Sequence, residues 1–435
     1  MKKEAKLKGE SISKERILIV GVELDKDVID IDDSMDELES LVEAAGGTVV
    51  SRVVQRRHSI DSAFFIGRGK ALEIKKYCDE LDVDTVVFND ELSGAQLRNL
   101  EDTIERKIVD RTNLILDIFA IRASSREGKL QVKLAQLKYR LPRLVGFRKY
   151  LSRTGGGIGT RGPGEQKLET DRRHILREIK NIERALKDVE RTREVNRKRR
   201  ITSSIPILAL VGYTNVGKST LLNKLVENYG DIEEKEEGKQ VFVCDQLFAT
   251  LSTSLRRAKL PNGQPFLITD TVGFVSKLPV HLVEAFKGTL EEVKYADLLL
   301  HVVDASSKNL NMQIKTTIDI LKDLEVLDKP IITVFNKMDK ADFQSIIYDS
   351  KYVDKKVFIS AQKEENLDQL INMIQESFPV KYREVKMLIP YSYQSDLSYI
   401  LDRYNILQME HKEDGVHLSL NIALEDYERY KKFIV

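Results

Sequence analysis

Cysteine is all but missing: there are two in 435 residues, Cys78 and Cys244, far apart and without metal-ligand spacing. That excludes a disulfide framework and a zinc site, and it suits a reducing cytosol. Long hydrophobic runs are missing too. No stretch of about 18 uncharged apolar residues occurs, so no membrane-spanning helix is expected. The opening MKKEAKLKGESISKER has no apolar core of signal-peptide length. The expectation is a soluble, unanchored, cytoplasmic chain, monomeric by default. Net charge is nearly nil, +1 from 70 Lys plus Arg and 69 Asp plus Glu, but that mean conceals an uneven distribution along the chain.

At about 100 to 200 residues per domain, a chain of 435 residues should divide into several. From Arg16 to about Ser125, short apolar runs (ILIVGVEL, TVVSRVV, DTVVFND) alternate with helix-like segments (MDELESLVEAA, KALEIKKYCDEL, AQLRNLEDTIE). This is the pattern of βα units on a parallel sheet. Between Gly128 and Arg200 the strand signals vanish. Apolar residues fall at Leu130, Leu134, Leu137, Leu141 and Leu144, then at Leu168, Ile175, Ile179, Ile182, Leu186 and Val189, a four-and-three spacing that lets two helices zip together. The joining segment, GFRKYLSRTGGGIGTRGPGE, holds seven of the chain's 23 glycines plus Pro163. It argues against regular helix and predicts the tip of an antiparallel helical hairpin.

Strands and helices alternate again from Ile205 to Phe378, with a hairpin turn at Asn262-Gly263 and an acidic loop from Asp231 to Lys239, as in a doubly wound P-loop domain. Beyond Val380 a Tyr-rich stretch reads as strand, helix, hairpin around Glu413-Asp414-Gly415, and a final helix to Val435. The expected fold is α/β and multidomain. It comprises an N-terminal α/β domain (1–127), a basic helical hairpin (128–200), a P-loop domain with a doubly wound sheet (201–378) and a small α+β domain (379–435).

The run ILALVGYTNVGKSTLLNKL is an apolar strand, then G-x-x-x-x-G-K-S-T over Gly212, Tyr213, Thr214, Asn215, Val216, Gly217, Lys218, Ser219 and Thr220, then an amphipathic helix. In that setting backbone N–H groups can wrap phosphates at a helix N-terminus, Lys218 can reach the β- and γ-phosphates, and the Ser219 hydroxyl can ligate Mg2+. Farther on, FLITDTVGF ends a strand with Asp270, Thr271, Val272 and Gly273. There Asp270 suits the Mg2+ shell and the Gly273 N–H suits a γ-phosphate. Thr250, in DQLFATLST, is the candidate for the threonine that closes on Mg2+ and γ-phosphate, or else an ordinary loop threonine.

In PIITVFNKMDK, Asn336, Lys337 and Asp339 follow another strand. A carboxylate there accepts from guanine N1–H and N2–H2, which adenine does not offer. Ser360, Ala361 and Gln362, after KVFIS, are placed for a backbone amide to meet guanine O6. The set predicts a GTP hydrolase with GTP and GDP as ligands and Mg2+ as cofactor. Two departures bear on mechanism. Phe274 stands where many small GTPases carry the Gln that orients water, so no catalytic residue is assigned: either hydrolysis is slow and partner-assisted, or Phe274 is a core residue. Asn215 occupies the position that binds a monovalent cation in a subset of GTPases, so either K+ stimulates the reaction or Asn215 only shapes the loop.

From Lys129 to Arg200 there are 22 Lys plus Arg against eight Asp plus Glu, a local balance of +14 in a chain whose total is +1. Such polarity favours a nucleic-acid face. Phe147, Arg148, Lys149, Tyr150, Arg153 and Arg161 mix aromatics that stack on unpaired bases with charges that follow a backbone, which fits RNA better than duplex DNA. The alternative is a set of ordinary solvated helix exteriors. GGGIGTRGPGE and FFIGRGKALEI are read as structural turns and not as a second nucleotide site: the first links helices, and the second lacks the loop spacing and the Ser/Thr after Lys70.

GGGIGTRGPGEQKLETDRR, GYTNVGKSTLLN, DQLFATL and DTVGFV, with FIGRGK, DRTNLILDIFAIRA and EGKLQVKLAQLKYRLPRL, together resemble HflX-type GTPases over nearly the whole chain. The resemblance implies a ribosome-stimulated GTPase that binds the large ribosomal subunit, with the basic hairpin approaching ribosomal RNA near the peptidyl transferase centre. It further implies ribosome rescue, splitting or recycling, or else antibiotic resistance or an RNA-binding scaffold in which hydrolysis only controls residence. A GTPase switch for a protein partner is the rival reading. The family's N-terminal domain has been credited with ATP use, but no second phosphate-loop motif supports that here.

Overall fold

The computed structural model describes residues 14–25, 30–145, 163–201, 205–230, 255–271, 273–274, 293–342, 346–378, 382–404 and 406–435. Those up to Arg193 make one compact unit and those from Glu194 a second. The first begins with β1 (Arg16–Leu24), α1 (Ile31–Ala44), β2 (Thr48–Arg57), α2 (Arg68–Glu80), β3 (Thr85–Phe88), α3 (Gly94–Ile104), β4 (Lys107–Asp110) and α4 (Arg111–Arg122). The strands are parallel, in the order β2-β1-β3-β4. Alternate β1 side chains divide between the two faces. Leu18, Val20 and Val22 meet Val86, Phe88 and Ile108 on the side covered by Ile74, Cys78, Leu100 and Ile104 of α2 and α3. On α1 and α4, Met35, Leu38, Leu41, Ile115 and Phe119 are buried. The helices begin where short polar residues can cap them: Asp30 accepts from the Asp32 amide, Ser93 and Gln96 form a reciprocal capping box, and Asp110 accepts from the Asn113 amide.

Two longer helices follow, α5 (Arg126–Val145) and α6 (Pro163–Ile201). Leu134 and Leu137 pack on Ile179 and Ile182, with Leu130, Leu141, Ile175 and Leu186 at the margins of the seam. Lys133 pairs with Glu178 and Lys138 with Glu183. Helix α6 starts earlier than its glycine- and proline-rich surroundings suggest. Pro163 is its first residue, because the N–H that proline lacks is one a first turn leaves unpaired, and its fixed φ already suits a helix. The rest of the expected tip, with Phe147, Arg148, Lys149, Tyr150, Arg153 and Arg161, lies outside the described residues. Near the end of α5, Arg143 stacks on the Tyr139 ring at 3.4 Å and donates to Glu91 Oε1 (3.0 Å), Leu92 O (2.8 Å) and the buried Asp110 Oδ2 (3.1 Å).

The second unit continues with β5 (Ile207–Gly212), α7 (Lys218–Tyr229), β6 (Leu255–Lys259), β7 (Pro265–Asp270), β8 (Leu298–Asp304), α8 (Leu310–Asp323), β9 (Ile331–Asn336), β10 (Lys355–Phe358) and α9 (Leu367–Ser377). The sheet order is β10-β9-β8-β5-β7-β6, parallel except for the edge strand β6. Asn262 and Gly263 turn β6 into β7, as their sequence predicts: Gly263 has φ 80°, and the Asn262 side chain accepts from the Gln264 amide at 3.0 Å.

The chain closes with β11 (Tyr382–Ile389), α10 (Gln394–Arg403), β12 (Ile406–Lys412), β13 (Gly415–Ala423) and α11 (Leu424–Tyr430), its strands forming an antiparallel sheet in the order β11-β13-β12. Helix α11 stops at Tyr430, short of the expected Val435. Phe433 belongs to the small sheet's core, and burying it turns the last residues onto β11, where the Val435 amide donates to Lys386 O at 2.9 Å. No helix among the described residues is long and apolar enough to cross a membrane.

Candidate functional site

Strand β5 lies inside its sheet, and its C-terminal end runs through the loop from Gly212 to Gly217 into α7. Gly217 has φ 92°, and a Cβ there would meet Asn336 Nδ2 at 2.3 Å, so the position admits only glycine. Asn215 stands exposed in the left-handed region at φ 59°, while Tyr213, Thr214 and Val216 are buried. Lys218 folds back beneath the loop and donates to Gly212 O (3.1 Å) and Tyr213 O (2.6 Å). It is 7% exposed, and burial lowers its pKa to about 8 against the opposing pull of Asp270. Ser219, beside the half-buried Thr220 in the first turn of α7, donates at 2.8 Å to Oδ2 of the fully buried Asp270.

Thr271 ties the chain after β7 to Leu210 O at 2.7 Å. Gly273 follows so close to the loop that a Cβ would meet Thr214 Cα at 2.9 Å and Lys218 Nζ at 3.0 Å. The Phe274 amide donates to Gly212 O (3.1 Å), and its carbonyl accepts from the Thr214 amide (2.8 Å). The Phe274 ring is buried, a core position. Val272 and Thr250 lie outside the described residues.

Strand β9 delivers the other half of the site. Asn336 Nδ2 donates to Val216 O at 2.8 Å, and its Oδ1 accepts from the Ala361 amide at 2.9 Å, so Asn336 links the phosphate loop to the segment of Ser360, Ala361 and Gln362. Lys337, left-handed at φ 63°, donates to Asn215 O at 2.6 Å. The half-buried Asp339 accepts from the Ser360 hydroxyl at 2.7 Å, and that bond above all holds its carboxyl below the usual range. Gln362 is exposed next to Ala361.

Thus Gly212 to Thr220, Asp270, Gly273, Asn336, Lys337, Asp339 and Ser360, spread over some 150 positions of sequence, occupy one end of one sheet. A buried ammonium there calls for an anion, and a fixed carboxylate calls for N–H donors. Among the described residues no group of three or more His, Cys, Asp or Glu is arranged to hold a metal ion. Ser219 with Asp270 instead offers adjacent oxygens, which fits Mg2+ when phosphates and water complete its shell.

Two residues of β8 escaped the sequence reading. His301 pairs in register with Val211 and Thr333, and burial together with the Lys218 charge pushes its pKa down to about 3, leaving a neutral imidazole under the site. Asp304 ends the strand and forms an ion pair with Lys337 at 2.7 Å. Their only sequence signal was a polar residue inside, and another ending, the apolar run LLLHVVD.

A second feature lies on α6. Arg173, Arg177, Lys180, Arg184, Lys187 and Arg191 are all exposed and follow one another at spacings of four and three, a basic stripe about 27 Å long at 1.5 Å per residue. Arg177, Lys180, Arg184 and Lys187 have no ion pair among the described residues. Lys180, Arg184 and Lys187 also line, with Lys138, Glu183 and Glu190, a groove of about 490 Å³ beside Leu134. The basic excess of this region was read from the sequence, but its regular spacing along one helix was not.

Residues 32–120 match the family model described as GTP-binding GTPase N-terminal, residues 122–200 that of the GTP-binding GTPase Middle Region, and residues 207–337 that of the 50S ribosome-binding GTPase. The sequence is 47% identical over 411 residues to GTPase HflX of Lacrimispora saccharolytica, covering 94% of each chain. It is 39% identical over 415 residues to GTPase HflX of Escherichia coli, covering 94% of this chain and 93% of that one. A crystal structure of SsGBP in complex with GDP aligns at 25% identity with a TM-score of 0.46, over 84% of this chain and 98% of the other.

Proposed function

The chain belongs to the HflX family of GTPases, and from that premise we propose that it is a Mg2+-dependent GTP hydrolase that binds the large ribosomal subunit and is stimulated by it. The observation that carries the nucleotide reading is the meeting of Lys218, Asp270, Asn336 and Asp339 around one loop. In this reading the loop amides and the N-terminus of α7 cradle the phosphates, and Lys218 returns to full charge against them. Ser219 and Asp270 hold Mg2+, which when bound offsets charge on the transferring phosphoryl group. Asp339 accepts from guanine N1–H and N2–H2. Asn215, at the exposed crest of the loop, is the residue for K+. Thr250 and Gly273 close on the γ-phosphate, and hydrolysis undoes that closure and releases the ribosome, driving rescue, splitting or recycling.

For the hairpin, the basic stripe of α6 supports ribosomal RNA as the partner, with Arg148, Lys149, Tyr150, Arg153 and Arg161 at the tip near the peptidyl transferase centre. The test is the steady-state GTP hydrolysis rate alone, with small subunits and with large subunits, for wild type and for a variant with Arg177, Lys180, Arg184 and Lys187 changed to Ala. Large subunits should raise the wild-type rate at least about tenfold, a stabilisation of roughly 1.4 kcal/mol. The variant should bind large subunits more weakly and with a flatter salt dependence, by about 0.7 to 0.9 in logarithmic slope for each phosphate that the stripe neutralises. An unchanged slope would remove the stripe from the interface. A rate that neither subunit alters would point to a protein partner instead.

A further inference from the structure

Asp304 ends β8 in register with Asn336, the last residue of β9. One carboxylate oxygen, Oδ2, lies 2.7 Å from Lys337 Nζ. The other, Oδ1, accepts from the Ser306 amide (3.0 Å) and the Ser306 hydroxyl (2.6 Å), which fixes the orientation of the group. Lys337 Nζ in turn donates to Asn215 O at 2.6 Å. The side chains of Lys337 and Asp304 are 21% and 16% exposed, so water screens this pair far less than a surface ion pair. Asn215 and Lys337 also share a backbone conformation. Both hold left-handed φ values, 59° and 63°, a region that Asn tolerates and that a residue such as Lys occupies rarely. One continuous set of contacts therefore runs from Ser306 through Asp304 and Lys337 to the phosphate loop, and it pins both residues.

We propose that Asp304 is a positioning residue for the nucleotide site. It fixes the Lys337 ammonium between the base-reading segment and the phosphate loop, and so sets how long a guanine nucleotide stays bound. This rests on the guanine-nucleotide reading above. If Asp304 served only to shape the end of β8 through Ser306, its effect would be independent of Lys337. Positioning requires that the effect pass through it.

The experiment follows release of a fluorescent GDP analogue from the full-length protein in wild type, Asp304→Asn, Lys337→Met and the double variant. Asp304→Asn keeps the shape of the side chain and removes its charge. Release should accelerate about tenfold, which corresponds to the weakening of one charge-assisted hydrogen bond. In the Lys337→Met background the same change should add less than about twofold. Equal acceleration in both backgrounds would make Asp304 a structural residue and overturn the proposal, as would unchanged release in the single variant. Ser306→Ala, which removes the hydroxyl donor to Oδ1 while leaving the amide donor and the charge, serves should Asp304→Asn fail to fold. It should speed release about two- to threefold, again only with Lys337 present, and no change would overturn the idea. A wild-type protein that binds no GDP analogue would overturn the guanine reading itself, and this proposal with it.

Discussion

Lys218 is the residue on which charge, burial and ligand converge. Its ammonium ordinarily titrates near 10.5, and burial brings it to about 8. Between those values the unfolded chain holds more protons than the folded one, so the contribution of Lys218 to stability rises with pH through that window. A bound phosphate reverses the balance by favouring the charged form. GDP binding at about pH 8.5 should therefore take up a proton, detectable by calorimetric titration in buffers of different ionisation heat. A heat independent of the buffer would mean that Lys218 stays charged when the site is empty. The residues legible in the sequence were those whose roles are local, such as the glycine, lysine and serine that follow β5. Asp304 and His301 were not legible, because their significance comes from the register of β8 against β5 and β9.

At the level of elements, the seam between α5 and α6 is the part most plainly written in the chain, since a four-and-three ladder of apolar residues has few other solutions. Pro163 was misread because proline opposes the interior of a helix but not its first residue. The end of α11 was misread because the pull of Phe433 into the small sheet is tertiary and leaves no periodic trace. Ile182 is buried against Leu134, Leu137 and Ile179, and Ile182→Ala should lower stability by about 2 to 4 kcal/mol in urea unfolding. A loss below about 1 kcal/mol would show a seam too loose to hold a tip in place.

For the whole molecule, two compact units with separate cores imply two cooperative transitions. Scanning calorimetry should resolve them, and GDP at about a hundred times its Kd should raise only the second unit's stability, by about 2.7 kcal/mol. A single transition that shifts as one would mean that the units unfold together. The scarcity of cysteine offers a way to watch the other unit. Cys78 has no exposed surface beneath the first sheet, and burial pushes its thiol up to about 11, so it lacks both access and thiolate. With Cys244 replaced by serine, the rate at which a thiol reagent traps Cys78 becomes a clock for the opening of the first unit alone. That clock keeps running in mixtures crowded with nucleotide and ribosomes, where a heat signal would be swamped.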